Sequence, residues 1–224
     1  RTIYWRAVSG AKAAPTMTMT GGTLLVGTDY GLAYHVDGTG SPTCTLDGVA
    51  ITVGQGTGID FGAAGTFVME DCTVTTSGTY TGLLSVAGAT TATVTVEDNT
   101  ITMGAKSAGD LIVAQSGGTK TITVKDNTFT TPTATGQTRA LVRSIDQAGV
   151  RVVGNTFNVN ANAANSFKVI SIETSGANTA YYAYIAGNRF YHEDTNSISI
   201  AVGNNASDAM QAHYAIIEGN IIYG

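Results

Sequence analysis

Two stretches of the chain, VEDNTI at residues 96–101 and VKDNTF at residues 124–129, repeat one pattern of side chains 28 residues apart. Each has an apolar residue, two polar residues, an Asn, any residue and a second apolar residue. The pattern returns as VVGNTF at 152–157, IAGNRF at 185–190 and IEGNII at 217–222, with weaker copies that lack the Asn at 19–24, 46–51 and 69–74. Successive copies lie 23 to 33 residues apart, so we predict a repeat protein of about eight units.

A second short apolar run lies between successive copies of the pattern. These runs cover residues 32–36, 59–61, 83–86, 111–114, 170–172 and 198–202. A period this short leaves no room for a strand with a crossover helix, and the apolar residues show no helical spacing. We therefore expect at least two strands per repeat, each stacked about 4.8 Å from its equivalent in the next repeat.

The repeat resembles the parallel β-helix repeat of the pectate-lyase-like superfamily, in which Asn residues stack at a sharp turn between two strands. The resemblance covers Met17 to the C-terminus and implies an all-β fold, a right-handed parallel β-helix of about eight coils. The turn requires a residue that tolerates left-handed or bridge dihedrals, and stacked Asn amides can also hydrogen-bond from coil to coil. The expected turn ladder consists of Asn99, Asn127, Asn155, Asn188 and Asn220.

The composition excludes several classes of protein. Only 12% of residues are charged and the net charge is −5 without basic runs, which argues against nucleic-acid binding. No apolar run approaches the roughly 20 residues that span a bilayer. We expect residues 1–15 to form an N-terminal capping strand and residues 16–224 to form the β-helix. Because the chain begins at Arg1 without a Met, we interpret it as a processed product or a piece of a longer chain.

The outward positions change character along the chain. Thr recurs on the early coils, which its β-branched shape explains without a function. On the last two coils we expect aromatic and aliphatic residues on one outer face, and such a patch usually marks a contact surface. A covering loop and stacking on sugar rings are the alternatives. The predicted face consists of Tyr182, Tyr184, Tyr191, Tyr214, Ile216, Ile221 and Tyr223.

Two pairs of titratable residues are candidates for catalysis on the other strand. His35 and Asp60 are expected on neighbouring coils, where they would share a proton as an acid–base pair. Arg143 and Glu173 repeat the arrangement. Surface ion pairs are the alternative interpretation of both. Polysaccharide lyases and glycoside hydrolases of the resembled superfamily use more clustered charges than this chain offers.

Two further features of the sequence concern metal and thiol chemistry. Asp71, Asp98 and Asp126 lie beside the Asn turn, where they are either weak calcium ligands or ordinary turn residues. Cys44 and Cys72 lie on adjacent coils at different positions of the repeat, so we predict two free, largely buried thiols.

The sequence favours a non-enzymatic, extracellular or virion-associated structural or recognition β-helix. Its C-terminal Tyr-rich face would pack on a protein partner or on a sister subunit, and trimers are frequent among viral β-helices. No cofactor is expected, with calcium as the alternative. The other function considered is a polysaccharide-processing enzyme, lyase or glycoside hydrolase, or a carbohydrate-binding module.

Overall fold

The structure of the protein is a computed structural model. It describes residues 3–7, 16–26, 32–36, 41–54, 56–62, 64–76, 79–87, 91–104, 106–107, 110–115, 119–132, 140–145, 149–160, 167–174, 181–193, 197–204 and 213–224. These residues form parallel strands joined by turns. Among them, no helix is long and apolar enough to cross a membrane.

The described strands form three parallel sheets, here called A, B and C. Sheet A contains β1 (Ile3–Ala7), β4 (Leu32–Val36), β7 (Gly56–Phe61), β10 (Thr79–Ala87), β14 (Ile112–Gln115), β17 (Ala140–Ile145), β20 (Lys168–Thr174) and β23 (Ile198–Asn204), with β13 (Lys106–Ser107) paired to β10. Sheet B contains β2 (Thr16–Thr20), β5 (Thr43–Asp47), β8 (Gly65–Glu70), β11 (Thr91–Glu97), β15 (Thr119–Lys125), β18 (Gly149–Val153), β21 (Tyr181–Ala186) and β24 (His213–Glu218). Sheet C contains β3 (Thr23–Val26), β6 (Ala50–Val53), β9 (Thr73–Thr76), β12 (Thr100–Thr102), β16 (Thr128–Thr130), β19 (Thr156–Val159), β22 (Arg189–His192) and β25 (Ile221–Tyr223).

Each strand pairs with its equivalent one coil away, so the chain winds through sheets A, B and C in turn. The repeated pattern spans a strand of sheet B, the Asn turn and a strand of sheet C, whereas the second apolar run forms sheet A. Each coil thus has three strands, because the pattern itself bends at the Asn. This architecture confirms the predicted right-handed parallel β-helix.

The core lies inside the coils and consists of columns of equivalent residues. Ile101, Phe129, Phe157 and Phe190 are register partners in sheet C and are fully buried. The rings of Phe129 and Phe157 stack at 4.9 Å, and those of Phe157 and Phe190 at 5.0 Å. Period-two alternation places apolar residues inside and leaves the intervening residues on the outer face. Ile222, the register partner of Phe190, continues this column on the last described coil but is 60% exposed.

The N-terminal strand continues this stacking. β1 pairs in parallel with β4 and is the first strand of sheet A. Residues 8–15, which complete the predicted capping segment, lie outside the described residues.

Candidate functional site

An asparagine ladder joins the last five coils at the turn between sheets B and C. The Nδ2 of Asn99 donates to Oδ1 of Asn127 at 2.8 Å, and Asn127 donates in the same way to Asn155 at 3.0 Å. The ladder continues through Asn188 to Asn220 at 3.0 and 2.9 Å. Each Oδ1 also accepts the backbone N–H of the preceding rung. The predicted ladder is confirmed, and it is a structural element because its amides are satisfied by one another.

The left-handed residue of the turn is the one before the Asn, not the Asn itself. Positive φ values occur at Asp71 (51°), Asp98 (56°) and Asp126 (53°), and at Gly in the other described coils. In the Asn coils the left-handed conformation at this turn therefore belongs to the residue before the Asn. Gly accepts positive φ without strain, and Asp is among the few other residues that tolerate it.

This left-handed conformation explains why Asp occurs at the position before the Asn in three coils. Asp126 is also neutralised by Lys125, whose Nζ lies 3.2 Å from its carboxylate and 3.8 Å from that of Glu97. Among the side chains that the structure describes, no three His, Cys, Asp or Glu residues group in a way that would hold a metal ion. The turn role is thus the interpretation that the geometry favours for the three Asp residues.

The seven predicted contact residues, here called the tyrosine surface, lie on the outer faces of two sheets rather than one. In sheet B, Tyr182 pairs with Tyr214 and Tyr184 with Ile216. In sheet C, Tyr191 pairs with Tyr223, and Ile221 lies beside Arg189. The two groups flank the Asn turn, because the repeated pattern bends there. Six members are 39 to 66% exposed, and Tyr184 is half-buried.

Several faces of these aromatic rings are already occupied. Tyr191 and Tyr223 stack at 4.7 Å with their planes within 3°. The guanidinium of Arg151 lies over the ring of Tyr184 at 5.3 Å from its centre. The hydroxyl of Tyr184 donates to Glu218 at 2.7 Å, and this hydrogen bond raises the pKa of Tyr184. These contacts run along the axis of the β-helix and reduce the area of open Tyr ring face on which a sugar could stack.

An ion-pair cluster crosses three coils on the outer face of sheet A. Arg143 donates to Asp110 at 3.1 Å and to Glu173 at 2.7 Å. Glu173 also accepts the hydroxyl of Ser171 at 2.7 Å and lies 3.4 Å from Nζ of Lys168. The side chains of Asp110, Arg143 and Glu173 are 3, 16 and 9% exposed. The predicted Arg143–Glu173 pair thus exists, but it is more buried than an ordinary surface pair.

The surroundings of Glu173 keep it ionised. Burial alone would raise the pKa of Glu173, but hydrogen bonds from Arg143 and Ser171 and the charges of Arg143 and Lys168 outweigh it, so the pKa is lowered. Burial lowers the pKa of Arg143, and the two carboxylates reverse this, so the net shift is upward. A carboxylate held below its usual pKa is a poor general acid at neutral pH. The cluster is suited to joining coils.

An open pocket of about 290 Å³ adjoins this cluster between β20 and β23. Its polar lining comes from Lys168, Ser171 and Glu173, and its apolar lining includes Ile172 and Ile200. The pocket offers an ammonium group and a hydroxyl to a small polar ligand. Both groups already contact Glu173, so a ligand would share them.

The backbone register offsets the other predicted pair by two residues. The register of β4 and β7 places Ala33 beside Asp60, so His35 lies two residues further along its strand. The side chain of His35 lies outside the described residues. The backbone positions of His35 and Asp60 are therefore offset by two residues instead of directly opposite, and their role as an acid–base pair stays a prediction.

Sequence reasoning missed three polar residues near these sites. Asp110 and Lys168 join the ion-pair cluster through the register, and only the alignment of coils could have revealed them. His192 ends β22 and is half-buried, with Nδ1 and Nε2 at 2.6 and 2.8 Å from the hydroxyls of Ser197 and Ser199.

The two cysteines match their prediction. Cys44 and Cys72 are free and buried in the core. Burial raises the pKa of Cys44 to about 12 and also raises that of Cys72. Both thiols are therefore unreactive in the folded protein at neutral pH.

Comparison with known proteins agrees with this architecture. No curated protein and no solved structure has significant similarity to the chain. The family model described as right handed beta helix region matches residues 30–166, which is 137 of the 224 residues. The chain therefore belongs to the family of proteins with a right-handed β-helix region.

Proposed function

We propose that this chain is a rigid, non-enzymatic recognition or assembly β-helix that acts extracellularly, at a cell surface or on a virion. Its tyrosine surface contacts a second copy of the chain. The observation that carries this proposal is the exposure of Tyr182, Tyr191, Tyr214, Ile216 and Tyr223 on two neighbouring sheets. Contiguous apolar surface of this kind is uncommon on monomers and is typical of protein contacts.

The geometry of the rings favours a protein over a sugar as the partner. Tyr191 and Tyr223 cover each other, and Arg151 covers one face of Tyr184. Protein interfaces are enriched in Tyr and Arg, whose edges and polar tips can contact a partner while the rings stay stacked. A second copy is favoured because most soluble oligomers are homo-oligomers.

Light scattering over a range of protein concentrations tests the proposal. The full chain is expected to have a native mass that is a multiple of 22.9 kDa. Tyr214→Lys, at a side chain that is 66% exposed, should shift the protein to the monomer because it places a charge in the interface. Thr121→Lys, an exposed position of the same sheet on an earlier coil, is the matched control and should remain assembled. A wild-type protein that is monomeric at every concentration would contradict the proposal.

The alternative is a polysaccharide-processing enzyme, and the pocket beside Glu173 is the observation that favours it. Release of reducing ends from acidic and neutral polysaccharides would be measured for the wild type, Asp60→Asn and Glu173→Gln. Turnover that either substitution abolishes, in a variant that unfolds like the wild type, would establish the enzyme and overturn the non-enzymatic proposal. A carbohydrate-binding module would instead bind glycans without turnover and lose affinity in Tyr184→Ala.

A further inference from the structure

Two outward columns of sheet B on the first five coils consist almost entirely of threonine. Two outward positions per strand form two columns along the helix axis, and every one of these side chains is exposed or half-exposed. This threonine surface consists of Thr16, Thr18, Thr43, Thr45, Thr66, Val68, Thr93, Thr95, Thr121 and Thr123. Nine of the ten residues are therefore Thr.

The backbone makes this surface a regular two-dimensional array. The five strands pair in continuous register, with Thr16 over Thr43 and Thr93 over Thr121. Equivalent residues repeat about every 4.8 Å between coils, and alternate residues of one strand lie about 6.6 Å apart. Four coil spacings give an array about 19 Å long. Ladders of identical side chains are also a setting in which sheets stay flatter than usual.

Strand propensity explains why Thr suits these outward positions, as expected from the sequence, but it does not explain why Thr recurs there almost to the exclusion of other residues. Val, Ile and Tyr have equally high strand propensity, and Lys, Glu and Asn would keep the surface equally soluble. A column that is almost entirely Thr presents both a methyl group and a hydroxyl group at each Thr position. The array contains no charge, because the outward charges of these strands lie at their ends, at Asp47, Glu70, Glu97 and Lys125.

Sheet C carries a less regular version of the pattern. Its outward positions include Thr73, Thr75, Thr100 and Thr102, but Leu25, Ala50 and Asn158 interrupt the columns. On the later coils of sheet B, Arg151 and Tyr184 replace Thr. The most uniform array is thus confined to sheet B and ends before the tyrosine surface.

We propose that the threonine surface binds ice. The hydroxyl groups can hydrogen-bond a row of water molecules at each coil, and the methyl groups leave gaps of fixed size between the rows. The array thus presents hydroxyl groups at two fixed repeats, about 4.8 Å between coils and about 6.6 Å along a strand, against which an ordered layer of water can be matched. Because the rigid backbone fixes these spacings before binding, the protein loses little conformational entropy when it binds. A charged surface would instead order water molecules around its charged side chains, and that arrangement of water does not fit the lattice of ice.

Partition of the full chain into slowly growing ice, together with thermal hysteresis, tests this proposal. The wild type should enter the ice and delay crystal growth below the melting point. Thr95→Tyr places a bulky ring in the middle of the array and is expected to abolish both effects. Circular dichroism would show that the variant keeps the β-helix.

Two matched substitutions complete the experiment. Ser85→Tyr adds the same ring to the outer face of sheet A, and Thr102→Tyr adds it to sheet C, so both should retain ice binding. Exclusion of the wild type from ice overturns the proposal, even if the protein binds a neutral polysaccharide such as cellulose. The proposal is equally overturned if Thr95→Tyr still binds ice, or if Ser85→Tyr loses binding to the same extent. None of these outcomes depends on the tyrosine surface, which lies on other coils.

Discussion

Asn127 occupies the middle of the asparagine ladder, and its replacement tests how strongly the ladder holds neighbouring coils together. Its Oδ1 accepts the backbone N–H and the Nδ2 of Asn99 at 3.0 and 2.8 Å. Its Nδ2 lies within 3.0 Å of three acceptors, which are the carbonyl oxygens of Val96 and Lys125 and the Oδ1 of Asn155. Asn127 is only 1% exposed, so water cannot replace these partners.

The expected cost of Asn127→Ala follows from these contacts. A hydrogen bond contributes about 1 kcal/mol net, and a buried donor left without a partner costs about 1–3 kcal/mol. Loss of the side chain removes four or five hydrogen bonds and strands the backbone N–H of Asn99, which gives about 5–8 kcal/mol in the free energy of unfolding. For a chain of this size the midpoint of thermal unfolding should fall by about 10–30 °C.

Urea and thermal unfolding followed by circular dichroism would measure this loss. Asn158→Ala is the matched control, because Asn158 is half-buried and makes a long side-chain hydrogen bond of 3.4 Å to Thr130. The control should change stability by no more than about 0.5 kcal/mol. Asn127→Asp keeps the acceptor but turns the donor into an oxygen facing three oxygens, so it should resemble the Ala variant. If Asn127→Ala costs no more than Asn158→Ala, the reasoning is refuted.

Four further predictions concern charge, thiols and the core. Because the folded pKa of Glu173 is lowered, its stabilising contribution is present above the unfolded value of about 4.3 and is lost as pH falls through the folded pKa. Acid titration of stability should show this loss, and Glu173→Gln should flatten it; an unchanged profile would contradict the assignment. Arg143→Met should destabilise the protein by about 3 kcal/mol in urea unfolding, because it removes the guanidinium that pairs with two buried carboxylates. Cys44 and Cys72 should resist a thiol reagent at pH 8 and react in urea, and rapid labelling of the folded protein would show that they are accessible. Phe157→Ala should cost about 3–5 kcal/mol, because it removes the middle ring of the stacked column, and a loss below about 1 kcal/mol would mean that the core relaxes around it.

The fold and the ladder were predictable because both depend on periodicity along the chain. Five copies of one pattern placed Asn99 over Asn127 without any knowledge of tertiary structure. The same alignment predicted the column that includes Phe129 and Phe157, and it identified outward residues such as Tyr214.

The candidate site was harder to predict because its contacts cross coils of unequal length. Alignment of the apolar runs predicts that His35 and Asp60 are adjacent, but the register offsets them by two residues. Asp110 reaches Arg143 from the end of its coil, where no repeated pattern marks its position. A shift of this kind is invisible in the sequence because insertions between strands change the register without changing the pattern.

The sequence by itself determined the stacked, parallel β-architecture, the asparagine turn and the chemical character of the outer columns, because these follow from the alternation of inward and outward residues within one repeat. Tertiary structure alone decided three other matters. It divided the tyrosine surface between two sheets, it assigned the left-handed conformation to Asp98 and its equivalents, and it enclosed Arg143 between two carboxylates. These three depend on how far the backbone turns at each corner and on which residues of neighbouring coils meet there, and local patterns of hydrophobicity do not encode either quantity.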